Sequence, residues 1–387
     1  MAATSADCSK EQEENHALPY TIPLYNDTGD HAHPALTTHY PTNLSSDTRY
    51  AALLCCRGGG HATCLGSGEG TAEWAADNGM VGVEVEYRTS LADGGSGFEV
   101  DREPAFFPAN GFQDLRRAIA VVRAVLHNVV DADRIGLVGF SAGGHLAALV
   151  ATRPGLSIAG DTGDDADAAE DADERRPSAP AVSAPALSRL VLCYPVISLE
   201  EGKGADASGS AINFLGKPGE LSSVQGGGQG GDSAAAVVGG CAGAAGAAVA
   251  AVAAVAAVAA GATDTNNLSA DTATAIAATA NTGAVVPATA TATASAAELR
   301  FATSPDRHVS PATCPPTFIW TTADDPIVPM EHSLMFFRAC REAKVPVELH
   351  VYDDAGGHAQ GLAGGNPRVK GWTDQLLAWL GDWAVPL

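Results

Sequence analysis

Short runs of apolar and β-branched residues recur along this chain, at 50–56, 80–87, 188–195, 316–322 and 346–352, with a sixth around Ile135, Leu137 and Val138. Most are nearly continuous rather than alternating, the pattern of strands covered on both faces. Between them the apolar spacing changes to that of helices. Residues 69–78 have helix composition and stop at Gly79. In 113–127, Leu115, Ile119, Val122 and Leu126 share one face, with Arg116, Arg117 and Arg123 off it. A small-residue stretch, 144–153, ends at Pro154-Gly155. A helix over 333–343 carries Leu334, Phe337 and Cys340, and a final amphipathic helix carries Trp372, Leu376, Trp379 and Leu380. Strands alternating with amphipathic helices predict the α/β class, with a mostly parallel, doubly wound sheet and helices on both faces. Ahead of the first buried run, pieces such as YTIPLYNDTGD and PALTTHYPTN predict peripheral strands at a sheet edge.

Two segments break the alternation. Residues 156–187 form an acidic Asp/Ala/Pro-rich insertion, and 221–297 form a larger low-complexity Ala/Gly/Thr insertion with no aromatic residue. Neither composition buries enough apolar area to offset the entropy of ordering it, so both read as inserted into, not part of, the packed core. The polar 1–17 reads as a disordered tail, leaving 18–387 as a single interrupted domain. The stretch 233–263 is long enough to span a bilayer, but alanine is nearly neutral for insertion, and no membrane span is expected.

Charge narrows the partners. The formal net charge is −23, and the eight acids of 161–174 leave −15 on the remainder. Such a surface repels phosphate backbones and anionic lipid, which excludes nucleic acid and membrane as expected partners. The eight cysteines show no C-x-x-C pair or metal-like ladder. Cys55, Cys56 and Cys193 fall inside strand-like runs, as buried free thiols do, and neither a disulfide framework nor a metal site is expected. No apolar signal segment is visible at the N-terminus, so the expected compartment is the cytoplasm.

The candidate chemistry begins at Gly139-Phe140-Ser141-Ala142-Gly143, a G-x-S-x-G pattern between a strand and a helix. With 43 glycines in the chain the bare pattern is weak, and its position gives it weight. A serine hydroxyl needs a base to take its proton and a third group to orient that base. On a parallel sheet these come from loops at the carboxyl ends of different strands. Asp324 and Asp325 follow one later strand, and His358 follows the last, in the order Ser…Asp…His. Asp325 is preferred because it precedes Val328-Pro329 in a D-x-x-V-P pattern, with Asp324 as the alternative. His358 is preferred as base because it lies in a Gly-flanked loop. His16, His31, His33 and His39 precede the core sheet, His127 is on a helix, His350 is within a strand, and His145 is one helical turn past Ser141, facing away. For a developing oxyanion, the N–H groups of Gly59, Gly60 and Ala142 are the candidate donors. No cofactor is called for.

These residues resemble a known family. LLCCRGGGH, DADRIGLVGFSAGGHLAA, LCYPVISL, RHVSPATCPPTFIWTTADDPIVPMEHSL and VPVELHVYDDAGGHAQGLA are similar to α/β-hydrolase-fold esterases of the acetylxylan-esterase-like and feruloyl-esterase-like (BD-FAE-like) group, related to the hormone-sensitive-lipase type. The resemblance implies hydrolysis of acetyl or other short acyl esters, often on carbohydrates, with Ser141, Asp325 and His358 as triad. Members usually carry Pro-Gly-Gly-Gly-Tyr or His-Gly-Gly-Gly at the loop after the first buried strand. Here Arg57 precedes the glycines and His61 follows them. A prolyl-oligopeptidase-type peptidase is the first rival, and the chain shows no blade repeats of the propeller that class appends. A silent binding protein on the same fold is the second, and that normally lacks a triad member.

Overall fold

The structure is a computed structural model that describes residues 19–25, 34–64, 66–89, 110–156, 187–203, 209–215, 296–353 and 356–387. The expected tail and almost all of the two insertions lie outside the described residues. Eight strands form one sheet: β1 Tyr20–Pro23, β2 Ala35–His39, β3 Tyr50–Cys56, β4 Val81–Glu86, β5 Val130–Phe140, β6 Arg189–Cys193, β7 Thr317–Thr322 and β8 Val347–Tyr352. Their spatial order is β1-β2-β4-β3-β5-β6-β7-β8. β1 and β2 pair antiparallel at one edge, and β2 pairs antiparallel with β4. Every pairing from β4 through β3 to β8 is parallel. The peripheral strands expected from the first segment are therefore the antiparallel margin of an otherwise parallel sheet.

Among the described residues seven α-helices accompany these strands: α1 Thr71–Asp77, α2 Asn110–Val125, α3 Ala142–Thr152, α4 Ser210–Leu215, α5 Ala296–Ala302, α6 Glu331–Ala343 and α7 Trp372–Leu380. Strand side chains alternate between the two faces. Leu53, Cys55, Val138, Phe140, Val191, Cys193, Phe318 and Trp320 pack with Ala72 and Ala75 of α1 and with Trp372, Leu376 and Leu380 of α7. The intervening Leu54, Leu137, Leu190, Leu192 and Ile319 are also fully buried and so face the other layer, where α2 and α3 pack together against the sheet. β3 and β7 are buried at every position, whereas edge strand β8 is partly exposed throughout. That difference explains why 50–56 and 316–322 are continuous apolar runs while PVELHVY alternates.

The structure and the sequence reading differ at several element ends. α2 begins at Asn110 rather than 113, and pattern resumes at Ala296 rather than 298. In α6 the buried face is His332, Ser333, Phe336 and Cys340, so Phe336 replaces the expected Phe337, and Leu334 is only partly covered. The helix begins two residues earlier than expected, and the polar His332 turns inward, where Nδ1 accepts from the backbone N–H groups of Ile197 and Ser198.

At the β1 edge, a buried polar cluster ties the margin to α2. Asp114 is fully buried and accepts hydrogen bonds from Arg88 Nε (3.0 Å), Arg88 N (2.8 Å) and Tyr25 Oη (2.7 Å). Removing one partner of a buried pair strands the other charge. Asp114→Ala is expected to lower unfolding stability by about 3 kcal/mol, read as a reduced urea midpoint at unchanged slope. A loss below about 1 kcal/mol would show that the cluster is not a fastener.

Strand order also places the site. The chain leaves β3, forms β4 on one side, then returns to form β5 on the other. At such a reversal the two outgoing loops diverge and leave a crevice at the strands' carboxyl ends. The 57–66 loop leaves β3 there, and Ser141 leaves β5.

Candidate active site

Ser141 sits at the sharp turn between β5 and α3 with φ 54° and ψ −117°. A positive φ at a non-glycine residue is strained by about 1–3 kcal/mol, so the surroundings must enforce it. They do so with three backbone hydrogen bonds: Ser141 N to Cys193 O (3.0 Å), and Val196 N (3.0 Å) and His145 N (3.2 Å) to Ser141 O. Crowding requires the flanking glycines. A Cβ on Gly139 would lie 2.4 Å from Gly143 O, and one on Gly143 would lie 2.3 Å from Cys56 O. The small-residue helix is the same requirement extended, since all eleven residues of α3 are buried.

The structure brings Ser141 together with the two other candidates. His358 Nε2 is 2.8 Å from Ser141 Oγ, and His358 Nδ1 is 2.6 Å from Asp325 Oδ2. Asp325 is held in turn: its Oδ1 accepts from Ile327 N and Val328 N, both at 2.9 Å. The second of these is the physical content of D-x-x-V-P, because the pattern lets the carboxylate cap its own turn. With a carboxylate at Nδ1, that nitrogen carries the proton, and Nε2 is left to accept from the serine hydroxyl. Asp324 is exposed and turns elsewhere, with Oδ2 accepting from Gly356 N at 3.2 Å.

Two residues that sequence reasoning missed hold His358. Tyr194 packs edge-on against its ring, with centroids 4.9 Å apart, and Tyr194 Oη accepts from Gly361 N at 2.9 Å. Burial pushes the Tyr194 phenol well up, so it stays neutral beside the imidazole. Thr322 Oγ1, at the end of β7, donates to Gly357 O at 3.0 Å. Their only sequence signal is position, since Thr322 ends β7 and Tyr194 directly follows β6, at the same carboxyl end of the sheet as Ser141.

The glycine loop lies beside the serine. A Cβ on Gly58 would come within 3.1 Å of Ser141 Cβ. Gly58 O accepts from Gly66 N (2.9 Å), and Gly59 O accepts from Ala62 N (3.0 Å) and Thr63 N (3.2 Å). In a trans peptide the N–H points opposite to the C=O. These bonds therefore turn the Gly59 and Gly60 N–H groups away from the hairpin, and among the described residues neither has a hydrogen-bond partner. Ala142, first residue of α3, has an N–H with no acceptor inside its helix. Arg57 is a fastener of this loop: Nη1 bonds Glu84 Oε1 at 2.9 Å and Nη2 donates to Gly66 O at 3.3 Å.

Of the other histidines, His16, His31 and His33 lie outside the described residues. His145 is fully buried and its Nε2 donates to Thr303 O at 2.7 Å, away from Ser141. His332 Nδ1 accepts from Ile197 N at 2.9 Å. Burial lowers both His145 and His332 to about 4. The folded form thus binds fewer protons than the unfolded chain between about pH 6.5 and pH 4, so stability is complete above that window and is lost as pH falls through it. The urea midpoint is expected to fall between pH 7 and pH 5. A double variant, His145→Gln with His332→Asn, keeps the donor and the acceptor without the titration and is expected to reduce that slope, with His61 and His308, which burial also lowers, carrying the remainder. An unchanged slope would assign the acid sensitivity to other groups.

Among the described residues the cysteines are free, no group of three metal-binding side chains occurs, and no helix is long and apolar enough to cross a membrane.

Comparison with known proteins agrees with this architecture. Residues 40–173 match the family model BD-FAE, and 224–385 match that of the prolyl oligopeptidase family. No curated protein matches the chain. Among solved structures, the chain is similar to an acetyl ester-xyloside bifunctional hydrolase from Caldicellulosiruptor lactoaceticus, at 24% identity and TM-score 0.56, covering 93% of this chain and 95% of that one. It is also similar to the carboxylesterase Cest-2923 from Lactobacillus plantarum WCFS1 (20%, TM-score 0.51, covering 94% and 96%). A third is the esterase Est2 from the planctomycete Thermogutta terrifontis with propionate bound (18%, TM-score 0.53, covering 95% and 96%). Strand order, the placement of the two outgoing loops and these likenesses together make the chain an α/β-hydrolase-fold protein.

Proposed function

We propose that the chain is a serine carboxylester hydrolase that cleaves acetyl or other short acyl esters through an acyl-enzyme. The observation that carries this reading is the continuous relay Ser141 Oγ–His358–Asp325, with contacts of 2.8 and 2.6 Å. Ser141 Oγ attacks the acyl carbonyl carbon while His358 Nε2 takes the hydroxyl proton. The carbonyl oxygen becomes an oxyanion facing the N–H groups of Gly59, Gly60 and Ala142. As the C–O bond to the alcohol breaks, His358 returns the proton to the departing oxygen. In the second half His358 takes a proton from water, hydroxide adds to the acyl carbon, and collapse restores the Ser141 hydroxyl and releases the acid. Asp325 keeps Nδ1 protonated and stabilises the imidazolium at both steps.

The acyl preference and a carbohydrate alcohol rest on resemblance. The strongly acidic surface fits a neutral ester better than an anionic one. The test is a panel of p-nitrophenyl acetate, butyrate and octanoate with acetylated sugars. Highest kcat/KM on acetyl esters is expected, and octanoate preference would overturn the short-acyl assignment. Because 224–385 matches the prolyl oligopeptidase family, the panel includes a blocked prolyl p-nitroanilide. Faster cleavage of that amide than of any ester would replace the esterase reading by a peptidase.

A further inference from the structure

The loop with the unbonded Gly59 and Gly60 N–H groups is fastened on two sides by its own hairpin and by Arg57. On its third side it meets α4, a six-residue helix following β6 that the catalytic proposal leaves without a role. Asn213 Nδ2 donates to Gly60 O at 2.8 Å. The next residue, Phe214, is 1% exposed, and its ring packs against His61 and His145, with centroids 4.8 Å away in both cases. His61 and His145 also meet each other edge-on at 5.1 Å.

The backbone here needs such support. Gly60 and His61 both have φ of 62°, and at histidine that conformation is disfavoured. A rotation of the 60–61 peptide would relieve it, and that rotation turns ψ of Gly60, the residue whose own N–H belongs to the adjoining 59–60 peptide. The hairpin bonds hold the carbonyl ends of peptides 58–59 and 59–60. Among the described contacts, the carbonyl end of peptide 60–61 is held by Asn213, and the side chain after that peptide, His61, is held by Phe214 and His145.

We infer that Asn213 is a positioning residue for the oxyanion loop: by holding Gly60 O it fixes the 60–61 peptide, and with it the turn from which the neighbouring Gly59 and Gly60 N–H groups are presented. The role rests on the ester-hydrolase reading for its chemical meaning, but the positioning itself is readable without turnover. The oxyanion exists only during reaction, so loosening its donors lowers kcat and leaves ground-state binding nearly unchanged.

The experiment compares the parent with Asn213→Ala, Asn213→Asp and Asn213→Gln by amide hydrogen exchange and by p-nitrophenyl acetate kinetics. Asn213→Asp keeps the shape and removes the donor, whereas Asn213→Gln keeps a donor. Faster exchange at Ala62, Thr63 and Gly66 in the Ala and Asp variants, with β5 and β7 unchanged, is expected. Their kcat is expected to fall about tenfold with KM within about twofold, and Gln is expected to recover part of both effects. Loop exchange identical to the parent in Ala and Asp overturns the inference, whatever the kinetics show. A parent without esterase activity overturns the function proposed above, and the exchange data still decide the positioning role.

Discussion

Ser141→Ala is expected to reduce kcat/KM for p-nitrophenyl acetate by about 10⁴- to 10⁶-fold, the scale on which removing the nucleophile acts in serine hydrolases. The change removes one oxygen and leaves the turn intact. The positive φ at this position is enforced by backbone bonds to Cys193, Val196 and His145, none of which uses the side chain. The urea midpoint is therefore expected to stay the same or rise slightly, which separates lost chemistry from lost structure. Turnover in Ser141→Ala at parental rates would remove the serine from the reaction altogether.

The second large effect is at the acid. Asp325→Asn is expected to lower kcat by about 10⁴-fold, and Asp324→Asn by less than about threefold. Asp325 accepts on both oxygens, from His358 Nδ1 on one and from Ile327 N and Val328 N on the other. An asparagine there has a single oxygen. If that oxygen faces the backbone, its amide donates to Nδ1, the proton moves to Nε2, and His358 presents a donor to a serine that needs an acceptor. If it faces His358, two backbone N–H groups confront an NH₂. Asp324 is exposed and touches the Gly356 N–H, so its loss loosens the His358 loop without changing the tautomer. The reverse ranking, with Asp324→Asn inactive and Asp325→Asn active, would exchange the two assignments.

Much of this arrangement could be read from residue order, and the reason is geometric. A parallel strand buried on both faces has to be apolar along its length, so β3, β5 and β7 announce themselves in one dimension. Ser141 and Asp325 come just after two such strands, and His358 comes after the parallel edge strand β8. A parallel sheet gathers the loops leaving its strands at one end, so the three side chains meet there. The features that escaped the sequence belong to contacts between distant segments. Phe336 rather than Phe337 faces inward because α6 starts at Glu331 and its first turn directs His332 at Ile197, 135 residues away. Tyr194 and Thr322 brace the His358 loop through contacts that no local spacing encodes. The tight 58–66 hairpin, which decides where Gly59 and Gly60 aim, depends on Arg57 reaching Glu84 on β4. Arg57 and His61 read in sequence as departures in the loop after the first buried strand, whereas in the fold they secure it from within and behind.

The most direct test of the serine relay is covalent capture. Diethyl p-nitrophenyl phosphate places an electrophilic phosphorus before any activated serine, and the adduct hydrolyses too slowly to escape detection. One equivalent of p-nitrophenolate released per chain, loss of p-nitrophenyl acetate turnover in parallel, and a diethylphosphoryl group located on Ser141 by mass spectrometry is the predicted result. A chain that stays fully active after prolonged incubation, or that carries the label on another residue while Ser141 remains unmodified, would contradict it.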